Sequence, residues 1–299
     1  MSAPAAPNVG ALLPLVYEPI LRAALVEDLG RAGDLTSAAV IPPDATATAL
    51  LVARRAGVVA GLDVAAAAFG MVDAAIAVGR RAADGQRVEA GTVLLHVSGP
   101  ARGILSAERV ALNVLGRMCG IATLTAAFVE AVAGTGARVT DTRKTTPLLR
   151  ALEKHAVRCG GGTNHRFGLD DAVLIKDNHV AVAGGVVEAV RRARQGVGHM
   201  VVVSVEVTAL EQIDALLAMP ERRTADVVLL DNMDTAMLAE AVRRIDGRFV
   251  TEASGGITLA TARDVALTGV DYLSVGALTH SAATLDVALD VVVEAPTVG

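Results

Sequence analysis

From Gly136 onward the chain repeats one pattern: a short run of apolar, largely β-branched residues, a polar residue, then a stretch of helical period. "ARVTDTRKT" precedes "PLLRALEKHAVRCGG", "AVLIKDNHV" precedes "GVVEAVRRARQ", "MVVVSVEVT" precedes "ALEQIDALLAM", "DVVLLDNM" precedes "TAMLAEAVRRID", and "RFVTEASGGI" precedes "TLATARDVALTG"; "DYLSVGALTHS" closes the series. Six such units in succession imply parallel strands with helical crossovers, because parallel neighbours cannot be joined by a hairpin. The residues at the strand exits are Lys144, Lys176, Glu206, Asp231, Glu252 or Ser254, and Gly276. They recur roughly every 20 to 32 residues, the length of a βα unit. A doubly wound open sheet also gathers ligands at strand C-termini, but mainly at its switch point. Polar exits on every strand favour a parallel α/β barrel of the TIM type, whose loops build a site on one face. Six units fall short of eight, so the barrel is expected to be incomplete, or filled by the helices that precede it.

The chain changes character near residue 106. Before it, Leu15 to Glu27 has helical spacing, "ATATALLVARRAGVVAG" reads as two strands around a Gly turn, and "LDVAAAAFGMV" as a packed helix. "DGQRVEAGTVLLHVSG" reads as strands bracketed by Gly turns. Its "GQRVEAG" is similar to the turn of a lipoyl- or biotinyl-type sandwich, without the Lys that would carry a cofactor. Ser106 is a candidate helix cap, with an interruption expected near Gly120. The expected organisation is an α+β domain over 1–118, with 281–299 as a candidate to complete it, and a barrel over 119–280.

Composition narrows the function classes. Aromatic residues are 2% of the chain and Trp is absent, which removes the stacking platforms used for single-stranded nucleic acid. Lys and Arg number 27 against 32 Asp and Glu, so the net charge of −5 argues against general nucleic-acid binding. Any anion must be held by a local cluster of cations. Cys119 and Cys159 have neither disulfide-framework nor zinc-site spacing. No basic segment leads into an apolar run at the N-terminus, and no uninterrupted apolar run reaches about 18 residues. The expectation is a cytoplasmic chain with no membrane partner.

The motifs supply such a cluster. "DTRKTTPLLR" sets Arg143 beside Lys144, and "KHAVRCGGGTNHRFGL" adds Lys154, His155, Arg158, His165 and Arg166 around a Gly run. Adjacent cations repel unless an anion lies between them, although a solvated basic turn has the same composition. Lys176 in "VLIKDNHV" emerges where an apolar strand ends. It either snorkels to solvent or acts, and a Schiff-base aldolase is one chemistry open to it. Glu206 and Asp231 are single carboxylates at successive exits. They suit Mg²⁺ held together with substrate phosphates, or a developing positive charge on a sugar ring, or a structural ion network. Ser254, Gly255 and Gly256, then the turn at Gly276, lie at the last two exits, where barrels often hold a phosphate.

Taken in order, "EDLGRAGDLTS", "SAERVALNVLGRMCGIAT", "DTRKTTPLLR", "KHAVRCGGGTNHRFGL", "VLIKDNH", "VEV", "LLDNM", "EASGGI" and "VGALTHS" resemble the quinolinate phosphoribosyltransferases. The resemblance covers nearly the whole chain and implies a sandwich-like α+β domain beside an incomplete barrel. It implies transfer of ribosyl phosphate from phosphoribosyl pyrophosphate to quinolinate, giving nicotinate mononucleotide, pyrophosphate and CO₂ for de novo NAD synthesis. It implies Mg²⁺ carried with the pyrophosphate, no organic cofactor, and a homodimer or higher oligomer with shared sites. By motif, Arg143, His165 and Arg166 would hold the quinolinate carboxylates, with Thr142, Lys144 and Lys176 close by. Arg109 would reach in from the neighbouring subunit. Glu206 and Asp231 would lie near the ribose and metal, and Ser254, Gly255, Gly256, Val275, Gly276 and Ala277 would cradle the 5-phosphate. A relative acting in molybdenum uptake shares this architecture. That relative, the aldolase using Lys176 and a non-enzymatic anion-binding barrel are the competing readings.

Overall fold

The computed structural model describes residues 9–220 and 224–292. Residues 1–8, where no signal peptide is expected, and 293–299 of the C-terminal segment lie outside the described residues. The chain divides into two compact units. The first holds the described residues up to 126 together with 145–161 and 281–292, and the second holds 127–144 and 162–280.

In chain order the first stretch contains α1 (Pro14–Leu29), α2 (Leu35–Val40), β1 (Thr46–Ala53), β2 (Gly57–Val58), α3 (Leu62–Val72), β3 (Ala77–Arg80), β4 (Arg87–Val88), β5 (Val93–Pro100) and α4 (Ala101–Ala131). Then come β6 (Arg138–Thr140), α5 (Arg150–Cys159), β7 (Val173–Ile175), α6 (Asp177–Ala183), α7 (Val186–Gly196), β8 (Val203–Val207), α8 (Leu210–Leu217) and β9 (Val227–Asp231). The series ends with α9 (Thr235–Ile245), β10 (Val250–Ser254), α10 (Leu259–Ala266), β11 (Tyr272–Ser274), α11 (Ala277–His280) and β12 (Val287–Val292).

The first unit is built on an antiparallel sheet in the order β12-β1-β5-β3, with a small β2-β4 ribbon. Its core includes Leu21, Leu51, Phe69, Leu94, Leu95, Ile104 and Leu115, all fully buried. The last described strand, β12, returns to pair with β1 from Thr48↔Val292 to Ala53↔Val287. Asp84 fastens the start of α3, accepting from Gly61 N at 3.0 Å, Leu62 N at 3.1 Å and pairing with His155 Nε2 at 2.9 Å. Burial alone would raise its carboxyl, but these donors outweigh burial and hold it below the ordinary range. Cys119 and Cys159 are free and buried; burial pushes the Cys119 thiol up to about 12, and the Cys159 thiol also up, so neither is a poised nucleophile.

Two local expectations about α4 are corrected. The helix begins at Ala101 rather than Ser106, and Ser106 Oγ instead donates to Asp34 Oδ2 at 3.0 Å. Gly120 does not interrupt the helix. A Cβ there would lie 2.0 Å from Ala283 O, so the position is bare because a returning backbone needs the space. α4 is long and apolar enough to cross a bilayer, yet 61% of its apolar window is buried inside the protein. Its Arg117 pairs with the buried Glu153 at 2.8 Å and donates to Ala282 O at 3.1 Å, as a core helix does.

The second unit is a parallel sheet in the order β6-β11-β10-β9-β8-β7. From β7 to β11 each strand lies beside its successor, and β11 then pairs with the first strand, from Tyr272↔Arg138 to Ser274↔Thr140. The sheet therefore curls round to its own beginning and is open only between β6 and β7. This is the expected six-stranded, incomplete barrel. Every residue of β8 is buried, as befits a parallel strand covered on both faces.

One assignment to the barrel is corrected. The helix after its first strand, α5, belongs to the first unit. Lys154 and His155, read from sequence as part of the cation-rich stretch, are buried there rather than at the strand exits.

Candidate active site

A cavity of about 710 Å³ opens at the C-terminal ends of the barrel strands. Its anchor is Asp141, the residue that follows β6, which is fully buried. Asp141 Oδ1 accepts from His165 N at 2.9 Å and Oδ2 from Asn164 Nδ2 at 2.6 Å. One carboxylate thereby ties the "DTRK" exit to the "NHR" loop across the open side of the barrel. Thr142 Oγ1 accepts from Lys144 N at 3.0 Å, and Lys144 O accepts from Thr279 Oγ1 at 2.7 Å. The chain around Arg143 and Lys144 is fixed at both ends by these bonds.

The two loops bring Thr142, Arg143, Lys144, His165 and Arg166 to the same cavity. Arg166 Nη1 donates to Ala172 O at 2.8 Å, but Arg166 Nε and Arg143 Nε are buried without a hydrogen-bond partner among the described residues. Burial, and then the neighbouring Arg143, hold the Arg166 guanidinium below its ordinary range. Buried guanidinium donors are costly unless an acceptor meets them. Both side chains line one cavity, and an anion with at least two acceptor oxygens suits two such cations.

Lys176, just after β7, places Nζ 2.9 Å from Glu206 Oε2 on β8. Asp231 ends β9 and stands in register with Ser254 at the end of β10. Asn232 Nδ2 donates to Asp231 Oδ2 at 2.6 Å. Gly255 has φ +98°, and a Cβ there would fall 2.1 Å from Asn232 Oδ1; any side chain would fill the turn and close off its backbone. Ser254, Gly255, Gly256, Val275, Gly276 and Ala277 all line the cavity. Val275 N is already bonded to Thr140 O at 2.9 Å, so its amide continues the sheet rather than facing the cavity. Arg109 lies on α4 and is not among the lining residues.

Five polar lining residues lie outside the site set read from sequence: Asn232, Glu252, Thr258, Ser274 and His280. Glu252 is 5% exposed, and its Oε1 has no partner among the described residues. Burial pushes its carboxyl up to about 7, a bond from Ser274 opposes this, and the Asp141 charge adds to it. The available signal was the period of a strand: Glu252 and Ser254 are two residues apart on β10 and share a face.

Glu206 and Asp231 present hard carboxylate oxygens from adjacent strands. That donor set fits Mg²⁺, which binds through one or two carboxylates and completes its shell with phosphate and water.

Comparison with known proteins agrees with this geometry. Residues 34–119 match the quinolinate phosphoribosyl transferase N-terminal domain, and residues 121–290 match the C-terminal domain of the same family. A Mycobacterium leprae protein named nicotinate-nucleotide pyrophosphorylase [carboxylating] is 48% identical over 275 residues, covering 90% of this chain and 95% of the relative. A Bacillus subtilis protein, named as a probable enzyme of that kind, is 41% identical over 277 residues, covering 93% and 94%. The crystal structure of NadC from Streptococcus pyogenes superposes with a TM-score of 0.89 at 40% identity, covering 94% of this chain and 98% of that one. The nicotinate-nucleotide pyrophosphorylase from Francisella tularensis gives 0.89 at 36% identity, covering 95% and 98%. With both of its domains matched in order along one chain, this protein belongs to the quinolinate phosphoribosyltransferase family.

Proposed function

We propose that the chain transfers ribosyl phosphate from phosphoribosyl pyrophosphate to quinolinate and releases pyrophosphate and CO₂, leaving nicotinate mononucleotide. The observation that carries this is the pair of orphaned guanidinium nitrogens of Arg143 and Arg166 in a cavity that also holds Lys144, His165 and Lys176. A pyridine with two carboxylates supplies the acceptors those donors lack. Thr142 frames this end of the site through its bond to Lys144 N. Glu206 and Asp231 face the ribose, where loss of pyrophosphate leaves positive charge that a carboxylate stabilises. The turns at Ser254–Gly256 and Val275–Ala277 receive the 5-phosphate. Mg²⁺ bound with the pyrophosphate would be held by Glu206 and Asp231 and would neutralise charge on the departing oxygens. The protein's own contribution is positioning and exclusion of water rather than covalent catalysis.

The Lys176–Glu206 ion pair supports this reading over an aldolase. Nζ is committed to Glu206 Oε2 at 2.9 Å, whereas a Schiff-base lysine needs its amine free to attack a carbonyl. The functional unit is a dimer or larger, in which Arg109 serves the partner's cavity. The decisive experiment supplies quinolinate, phosphoribosyl pyrophosphate and Mg²⁺ and follows nicotinate mononucleotide. Product is expected from quinolinate and not from nicotinate, whose single carboxylate leaves buried cations unpaired. Comparable product from nicotinate overturns the assignment of the cation cluster.

A further inference from the structure

The reaction proposed above contains a proton that none of the residues so far assigned delivers. Once the pyridine nitrogen carries the ribose, the bond between the adjacent ring carbon and its carboxylate breaks. CO₂ leaves and the bonding pair stays on the ring carbon. A proton must arrive there before CO₂ recombines with that pair, so proton delivery commits the loss of CO₂ and completes the product.

The cavity restricts the source. Lys176 Nζ is already engaged with Glu206 Oε2 at 2.9 Å. His165 Nδ1 accepts from Arg166 N at 2.7 Å, so that nitrogen carries no proton and the ring is the neutral Nε2–H tautomer. A neutral imidazole is a far weaker acid than imidazolium. Glu252 remains. Its carboxyl is 5% exposed and lines the same cavity, with Oε2 3.5 Å from His165 Nε2 and Oε1 buried without a partner among the described residues. A buried carboxylate with so little compensation is disfavoured, and the proton supplies what the environment withholds. The neutral form also avoids setting a like charge against a dianionic substrate.

We propose that Glu252 is the acid that protonates the ring carbon vacated by CO₂. Its O–H bond breaks as the C–H bond forms from the pair left on carbon. Glu252 becomes a carboxylate beside His165 Nε2–H, and solvent returns the proton when product leaves. The inference rests on the proposed function, since it needs a substrate that loses CO₂. The pH response of Glu252 is set among Asp141 after β6, His165, Tyr272 and Ser274 on β11, and Lys176 and Glu206 in the shared cavity.

The test is a single turnover of Glu252→Gln with quinolinate, phosphoribosyl pyrophosphate and Mg²⁺, following pyrophosphate, CO₂ and the mononucleotide separately. Glutamine keeps the shape and neutrality of the acid but has no proton of comparable acidity. Pyrophosphate release should persist. Nicotinate mononucleotide should form about 10²-fold more slowly, with a mononucleotide retaining both carboxylates accumulating in its place. In the unaltered protein the CO₂-forming step should slow as pH rises above about 7, while pyrophosphate release does not follow that limb. Nicotinate mononucleotide formed by the variant at the unaltered rate overturns the assignment, as does parallel loss of both steps. A shared pH dependence of the two steps in the unaltered protein also overturns it, and this arm needs no folded variant. Absence of pyrophosphate release in the unaltered protein refutes the proposed function itself.

Discussion

Asp141→Ala removes the carboxylate that joins the two cation-bearing loops. The magnitude is worked from two of the donors it leaves behind. His165 N belongs to a half-buried residue and is bonded at 2.9 Å; an unmade bond there costs about 1–3 kcal/mol. Asn164 is exposed, so water replaces its lost partner and the cost is about 0.5 kcal/mol. Removing a fully buried charge returns part of this, which gives a net loss of about 1–3 kcal/mol. The functional loss should exceed the stability loss, because His165 and Arg166 are no longer held opposite Arg143. We expect the KM for quinolinate to rise about tenfold or more while the KM for phosphoribosyl pyrophosphate changes little. Asp141→Asn retains an acceptor for His165 N and should recover most of the affinity. Removing the negative charge in either variant also lets the Glu252 carboxyl fall toward its ordinary range, so the pH limb of CO₂ formation moves to lower pH. Chemical denaturation and steady-state kinetics on both variants measure these effects. An Asp141→Ala protein with unaltered quinolinate affinity would falsify the claim that this carboxylate assembles the site.

Lys144→Ala and Lys176→Ala should each lower turnover about 10²-fold or more without unfolding the chain, since both lie at strand exits; near-normal turnover in a folded variant removes that lysine from the site. Glu206→Ala and Asp231→Ala should weaken the response to Mg²⁺ or phosphoribosyl pyrophosphate more than quinolinate binding, and calorimetry with the opposite pattern reverses their assignment. Arg109→Ala and Lys176→Ala homodimers should both be nearly inactive. Randomly exchanged mixtures should regain roughly a quarter of unaltered activity, because about half the dimers are mixed and each has one intact site. Verified exchange with no recovery shows that Arg109 serves its own barrel.

The strand exits were legible because each lies at the end of a buried run, where a charge has no packing explanation. Lys144, Lys176, Glu206, Asp231 and Ser254 accordingly line one cavity. What sequence adjacency could not show was destination. Lys154 and His155 stand a few residues from Arg143 and Lys144, yet α5 carries them into the core of the other unit. Ser106 has the composition of a cap, but its partner Asp34 is distant in the chain, and no local rule anticipates that bond. Gly120 reads as a helix breaker by propensity alone. Its reason is the backbone at Ala283, more than half the chain away. For β10 the sequence leaves Glu252 and Ser254 as alternative exits, and both line the cavity, since residues one pleat apart share a face.

The path of the chain between the two units has a consequence for how the protein can be made or lost. It passes from one to the other at 126/127, 144/145, 161/162 and 280/281. Neither unit is a contiguous stretch that a single cut could release, so this barrel is not a portable cassette. Lys144 sits at one crossing, the Gly162–Arg166 stretch begins at another, and His280 ends at the last. Between β6 and β7 the chain leaves the barrel for the first unit, where it forms α5. A truncation at 144/145 or at 161/162 therefore divides both units at once.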